Sequence, residues 1–332
     1  MSRSGFPVIA GLVLILCAGA LALHAMPKAS GEPPLFEGEP ELFVLALFNS
    51  TVYGVAYTPD GNQLVTASAQ GIQRWNVHER TLVHEYPESL RIAYDVAVSP
   101  GGAWVAAASV NSNVYVWAID GTTATHILQP NSGAMYSVAF SPDGQLLASG
   151  AANGTVVLWD ITTGERVRVL DGHDGWVRTV AFHPNGEQLA SGSADGTIAL
   201  WDVASGELLH SADAHHGGVH AIDFHPDGSL LASGGQDAAV RIWDASDVSL
   251  LQDLRGHGYL VTDVGFTPSG EHVMSVSYDE AVRVWSVETG DFLQLYAGHL
   301  DYIFAIDFSP TEPRFATGSW DFSALIWDRH DY

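Results

Sequence analysis

LDGHDGWVRTVAFHPNGEQLASGSADGTIALWD, residues 170–202, holds a histidine, a serine and an aspartate within one short reach: His173, Ser191 and Asp195. These residue types make the acid–base–nucleophile set of a hydrolase. Repetition separates that reading from a structural one. His173, Ser191, Asp195 and Trp201 return as His215, Ser233, Asp237 and Trp243, then as His257, Ser275, Asp279 and Trp285, and again as His299, Thr317, Asp321 and Trp327. An enzyme needs one triad; four in register, the last with Thr in place of Ser, point to a structural quartet.

The quartets belong to a longer ruler. Trp75, Trp117, Trp159, Trp201, Trp243, Trp285 and Trp327 follow one another at a constant interval of 42 residues. A turn marker runs in phase with them: TPDG at 58, SPGG at 99, SPDG at 141, HPNG at 183, HPDG at 225, TPSG at 267 and SPTE at 309. Within the quoted copy, VRTVAFHP is rich in β-formers and stops at a Pro-Asn-Gly turn, EQLASGS follows, ADG turns the chain into TIALWD, and ASG leads into ELLHSAD. Four short strands with their turns occupy 40–45 residues in one propeller blade. In the first strand the apolar positions Val177, Val180 and Phe182 slip out of alternation, which predicts a β-bulge beginning near Arg178.

These repeats resemble the WD40 family, and the resemblance covers residues 41–328. Trp-Asp closes four copies (Trp159-Asp160, Trp201-Asp202, Trp243-Asp244, Trp327-Asp328) and Gly-His opens three (Gly172-His173, Gly256-His257, Gly298-His299), with Ala214-His215 in the same register. The resemblance implies an all-β, seven-bladed propeller of four antiparallel strands per blade. It also implies a role for the quartet: the turn Asp accepts from His, His reaches Ser or Thr, and that hydroxyl reaches the indole N–H. The first three copies depart from the pattern, with Phe48, Ser89 and Asn131 at the His register and Gln70, Asn111 and Asn153 at the Asp register. Their blades are expected to rely on apolar packing and to be the softer part of the ring. The last copy ends near Tyr332 without room for an outer strand, whereas ELFVLAL (41–47) precedes the first marker with no inner strands of its own. The N-terminal strand is therefore expected to complete the blade of Trp327 and close the ring, as a propeller requires.

Composition bounds the function. The chain of 332 residues carries a formal charge of −25, from 38 Asp and Glu against 13 Lys and Arg. Such a surface repels phosphate backbones, so no nucleic acid partner is expected. Arg3 precedes residues 5–25, GFPVIAGLVLILCAGALALHA, a stretch with no charged side chain and near the ~20 residues that cross a bilayer. It reads either as a signal peptide, cut after Ala18-Gly19-Ala20 or Ala20-Leu21-Ala22, or as a retained anchor. Both readings make the chain beyond residue 25 extracytoplasmic, with membrane contact only through the N-terminal segment. Residues 26–40, MPKASGEPPLFEGEP, read as a Pro-, Gly- and Glu-rich linker, and residues 41–332 as the propeller, expected to be monomeric. Cys17 is the one cysteine, inside the apolar stretch, and Leu16 stands where a lipoprotein signal wants a small residue. No disulfide is therefore expected in the exported part.

The resemblance places partner contacts at the third and fifth residues after His and at the residue before the turn Asp. Fifth positions are Tyr53, Tyr94, Tyr136, Arg178, His220, Thr262 and Phe304; third positions include Trp176, Leu260 and Tyr302; Tyr278 and Trp320 precede turn aspartates. Aromatic residues and Arg anchor interfaces, so an exposed aromatic cluster around the ring mouth is expected to dock a protein or peptide, densest at Tyr302, Phe304 and Trp320. His216 and His220 stand near one mouth, and His183 and His225 on the opposite face. No carboxylate or cysteine joins them at ligand spacing, so neither metal nor cofactor is expected. The alternative is a propeller hydrolase or lyase with a channel site near Arg178 and His220.

Overall fold

A computed structural model of the chain describes residues 42–86, 92–130 and 132–328. The segments read as signal or anchor and as linker lie outside the described residues. Among those described, twenty-eight strands form seven four-stranded antiparallel sheets. Six are successive meanders. β2 (Val52–Tyr57), β3 (Gln63–Ser68), β4 (Gly71–Asn76) and β5 (Thr81–Tyr86) make the blade of Trp75. β14 (Val177–Phe182), β15 (Gln188–Ser193), β16 (Thr197–Asp202) and β17 (Leu208–Asp213) make that of Trp201. The seventh takes β26 (Ile303–Phe308), β27 (Arg314–Ser319) and β28 (Ser323–Asp328) from the end of the chain and β1 (Leu42–Leu47) from its beginning.

Burial explains the sequence texture of each strand. The second and third strands are covered on both faces by neighbouring blades, so β15 reads QLASGS and β16 TIALWD, with nearly every side chain buried. Outer strands such as β17, LLHSAD, pack only inward and leave most side chains exposed. The apolar clusters are shared between blades: Leu158, Leu170 and Val156 of one blade pack with Val177, Val180 and Phe182 of the next. The closing seam is built likewise, Leu45 and Ile326 packing with Val52 and Val55.

Ring closure rests on the register of β1 against β28, Leu42 opposite Trp327 and Leu47 opposite Ser323. Deleting residues 41–47 uncovers the edge of β28, and an unpaired edge is a template for another chain. The truncated protein is expected to melt earlier and to self-associate. Sedimentation together with thermal melting checks this; a monomer with unchanged melting would overturn the closure's importance.

The slipped alternation at Arg178 is a bulge, and it recurs in every inner strand. Pairing skips one residue between Val52 and Gly54, Ala93 and Asp95, Met135 and Ser137, Val177 and Thr179, Val219 and Ala221, Val261 and Asp263, and Ile303 and Ala305. The skipped residue is each time the fifth-position side chain. Because a bulge re-aims the residue it leaves unpaired, seven of them turn these side chains toward the channel mouth.

Beneath the mouth the inner strands present free N–H groups to the channel, and side chains of the preceding blade answer them. Asp95 Oδ2 accepts from Val138 N (2.9 Å), Asp223 Oδ2 from Phe266 N (2.8 Å), Asp263 Oδ2 from Ile306 N (2.9 Å) and Asp307 Oδ2 from Tyr57 N (2.6 Å). Ser137 and Thr179 do the same for Val180 and Ile222. The series breaks at Gly54, where a Cβ would come within 3.2 Å of Asp95 Cα, so the first two blades approach too closely for a linking side chain.

Candidate functional site

The quartets are built as continuous chains. Trp201 Nε1 donates to Ser191 Oγ (2.8 Å), and His173 Nε2 lies 2.7 Å from the same hydroxyl. An indole N–H only donates and a carboxylate only accepts. The Ser hydroxyl therefore donates to Nε2, and Nδ1–H points toward the turn. The other copies repeat the geometry: His215 with Ser233 (2.7 Å) and Asp237 (2.7 Å), His257 with Ser275 (2.7 Å) and Asp279 (3.0 Å), His299 with Thr317 (2.7 Å) and Asp321 (2.8 Å). Trp243, Trp285 and Trp327 donate to their hydroxyls at 2.9, 2.9 and 2.8 Å.

The copies are not equal. Asp195 lies 3.4 Å from His173 Nδ1 because Thr197 stands between, its Oγ1 2.9 Å from the ring nitrogen and donating to Asp195 at 2.7 Å. In two other blades a guanidinium joins instead, Arg241 donating to Asp237 (2.9 Å) and Arg283 to Asp279 (2.6 Å). Burial pushes the carboxyl of Asp237 up, but hydrogen bonding and the charges of His215 and Arg241 outweigh it and hold the group below the usual carboxylate range. The earlier blades keep fragments: Phe48 packs edge-on against Trp75, Asn153 caps Thr155 N and Oγ1, and Trp159 donates to Ser149 (2.9 Å). Ala107 occupies the hydroxyl position under Trp117, whose buried Nε1 has no hydrogen-bond partner among the described residues.

At the mouth the bulge residues and their neighbours form an arc of ring contacts. Trp176 stacks on Tyr136 (5.4 Å between centroids), Tyr136 on Tyr94 (5.3 Å), Tyr94 meets Tyr53 edge-on (5.6 Å), and Tyr53 meets Phe304 (5.2 Å). There the arc broadens: Phe304 stacks on Trp320 (5.9 Å) and meets Tyr278 (5.5 Å), and Tyr278 stacks on Tyr302 at 4.1 Å. Trp176, Tyr302 and Trp320 are 49%, 39% and 44% exposed, and the other rings half-buried. The gap in the arc is filled by Arg178, whose Nη1 is 3.2 Å from His220 Nδ1. The hydroxyl of Thr262, the remaining fifth-position residue, donates to the carbonyl of Ile303 (2.6 Å).

Three exposed side chains of this face fall outside the third- and fifth-position rule: Leu300 (81%), Tyr259 (67%) and Phe322 (43%). Phe322 has φ +69° at the turn position where other copies place Gly154, Gly196, Ser112, Ala238 and Glu280, all left-handed as well. A left-handed phenylalanine is strained, and its ring stays exposed.

Two of the four candidate histidines have structural work. His183 Nε2 reaches the carbonyl of Gly228 (2.9 Å) and His225 Nε2 that of Gly270 (3.0 Å), each tying one Pro turn to the next blade. No group of three or more His, Cys, Asp or Glu among the described residues could hold a metal ion.

Sequence reasoning missed the channel carboxylates. Burial pushes Asp95 and Asp307 up to about 6 and Asp223 to about 7, and raises Asp263 well above its ordinary value; for Asp223, Asp263 and Asp307 neighbouring channel carboxylates add to it. A raised folded pKa means the native state binds more protons, so this contribution is full below about pH 4 and is lost as pH rises toward 7. Asp223→Asn keeps an acceptor for Phe266 N without the charge. It is expected to stabilise the protein at pH 8 by on the order of 2 kcal/mol and to do little at pH 4. Melting curves of both proteins at the two pH values check this; an equal gain at both would overturn it.

A family model described as WD domain, G-beta repeat, matches residues 80–118, 122–160, 164–202, 206–244, 248–286 and 290–328. These stretches leave out β2, β3 and β4 with Trp75, which the structure nevertheless builds with β5 into the same four-stranded blade. No curated protein matches the chain.

Proposed function

Since the chain belongs to the WD40 repeat family, whose propellers are typically protein-binding and generally non-catalytic scaffolds, we propose that it is an extracytoplasmic platform capturing a protein or peptide on the aromatic mouth. The observation that carries this reading is the arc of rings from Trp176 to Tyr302, aimed by bulges. Aromatic side chains offer large contact area at low entropic cost, and anchors of this type dominate interface energies. Export is supported by the uncharged residues 5–25 behind Arg3, and the absence of Lys and Arg surplus argues against nucleic acid.

The full chain, immobilised, is expected to retain one stoichiometric protein from an envelope extract. Tyr53→Ala should weaken capture in part, and Glu187→Ala, on the Pro-turn face, should leave it unchanged. Absence of any stoichiometric partner, or loss of capture with Glu187→Ala alone, would overturn the docking face. A reporter enzyme active only outside the cytoplasm, fused after Tyr332, tests the location: an inactive fusion overturns it.

A further inference from the structure

Arg178 is a half-buried cation that no acidic group answers. Arg74, Arg241, Arg255, Arg283 and Arg314 each have a carboxylate within ion-pair reach. Arg178 has none among the described residues: its Nη1 lies against the His220 ring, its guanidinium is 5.8 Å from the Trp176 ring centroid, and its buried Nε has no hydrogen-bond partner. Burial, with the Arg178 charge beside it, pushes His220 down to about 4, so its ring is neutral near pH 7. Arg178 Nη1 lies 3.2 Å from Nδ1 and 3.5 Å from Nε2, so the guanidinium rests over the face of a neutral imidazole, while Nε2 faces Gln236 Oε1 at 3.4 Å. His220 thus fixes the guanidinium's position without neutralising it. A charge taken partly out of water without a counter-charge is costly, and an arriving anion relieves that cost through charge-assisted hydrogen bonds.

We propose that the Arg178 corner of the mouth is a carboxylate subsite that seats one Asp or Glu side chain of the docked peptide, with apolar residues of the same peptide covering the adjacent rings. This rests on the docking reading and gives it a chemistry. Charge selects the occupant. The net charge of −25 opposes a uniformly acidic partner at long range, and a dianion more than a monoanion. The segment that fits therefore carries a single carboxylate among neutral, basic and apolar residues, rather than a phosphoryl group.

The probes are bead-displayed random octapeptides in four sets, with Glu, Gln, Lys or phosphoserine fixed at the centre, offered to the full chain at pH 7. The Glu set is expected to be retained at least ten times more than the Gln set, and this preference should vanish in Arg178→Gln while melting does not fall. Arg178→Lys, keeping the charge without the fork, should restore part of it. A preference for Lys or phosphoserine, or a Glu preference that survives Arg178→Gln, overturns the subsite. Loss of the Glu preference alone, with the Gln set still bound, supports it. If Trp320→Ala with Phe304→Ala leaves all sets bound, the subsite stands and the aromatic docking reading falls. If no set is retained by the wild-type chain, both fall.

Discussion

Replacing Trp320 and Phe304 together by alanine is expected to cut partner capture at least a hundredfold while moving the melting temperature little. The two rings stack at 5.9 Å, and Phe304 also touches Tyr53 and Tyr278, so the pair joins the broad sector to the rest of the arc. Truncating a hot-spot residue costs ~2 kcal/mol or more, and two such losses exceed a factor of a hundred. Fold stability is carried elsewhere in this blade. The quartet of His299, Thr317, Asp321 and Trp327 stays intact, and the bond from Trp320 N to Tyr302 O (2.8 Å) is made by backbone. Capture assays and calorimetry on the same preparations check both halves. Early melting would make these rings core; normal melting with normal capture would place the partner elsewhere.

The second large effect concerns stability. Asp237→Ala is expected to cost about 2–3 kcal/mol, because it strips His215 and Arg241 of a shared carboxylate and leaves the buried guanidinium with Asp253 alone, at 3.4 Å. Asp195→Ala should cost about 1–2 kcal/mol, since Thr197 still accepts from His173. Asn153→Ala, which removes only a turn cap, should cost less than ~1 kcal/mol. Denaturant titration ranks the three, and equal losses would erase the distinction between linked and unlinked turns. The sign with pH follows from the depressed folded pKa of Asp237: its stabilisation is full above its unfolded value of 3.8 and fades as pH falls below that. The gap between wild type and Asp237→Ala should therefore hold at pH 7 and narrow in acid.

What could be read beforehand was what repeats. The blade count, the closure through β1 and the quartets all stand at a fixed interval, so each copy corroborates the others. The channel carboxylates had no such support. Asp95 and Asp263 occupy the position just after the bulge, whereas Asp223 and Asp307 stand two places further on, so no period marks them. They converge only because seven inner strands are wrapped around one axis. Thr197 was hidden for a different reason: a quartet rule names four positions, and a fifth side chain close enough to intervene is a matter of tenths of an ångström. Phe322 carried a signal that could have been used, an aromatic ring where sibling copies have Gly154, Gly196, Ser112, Ala238 and Glu280.

Strand β1 has a direction as well as a place. It begins at Leu42, opposite Trp327 near the Pro turns, and climbs to Leu47, opposite Ser323 beside the mouth. Any load carried by chain upstream of Leu42 and resisted by a partner held at the mouth therefore pulls β1 along its own axis, antiparallel to β28. The bonds between the two strands are then strained together in shear, instead of opening one at a time as in peeling. The ring's weakest covalent discontinuity is thus oriented to hold under tension between the two faces, and a sideways pull on the same strand would find it far easier to unzip.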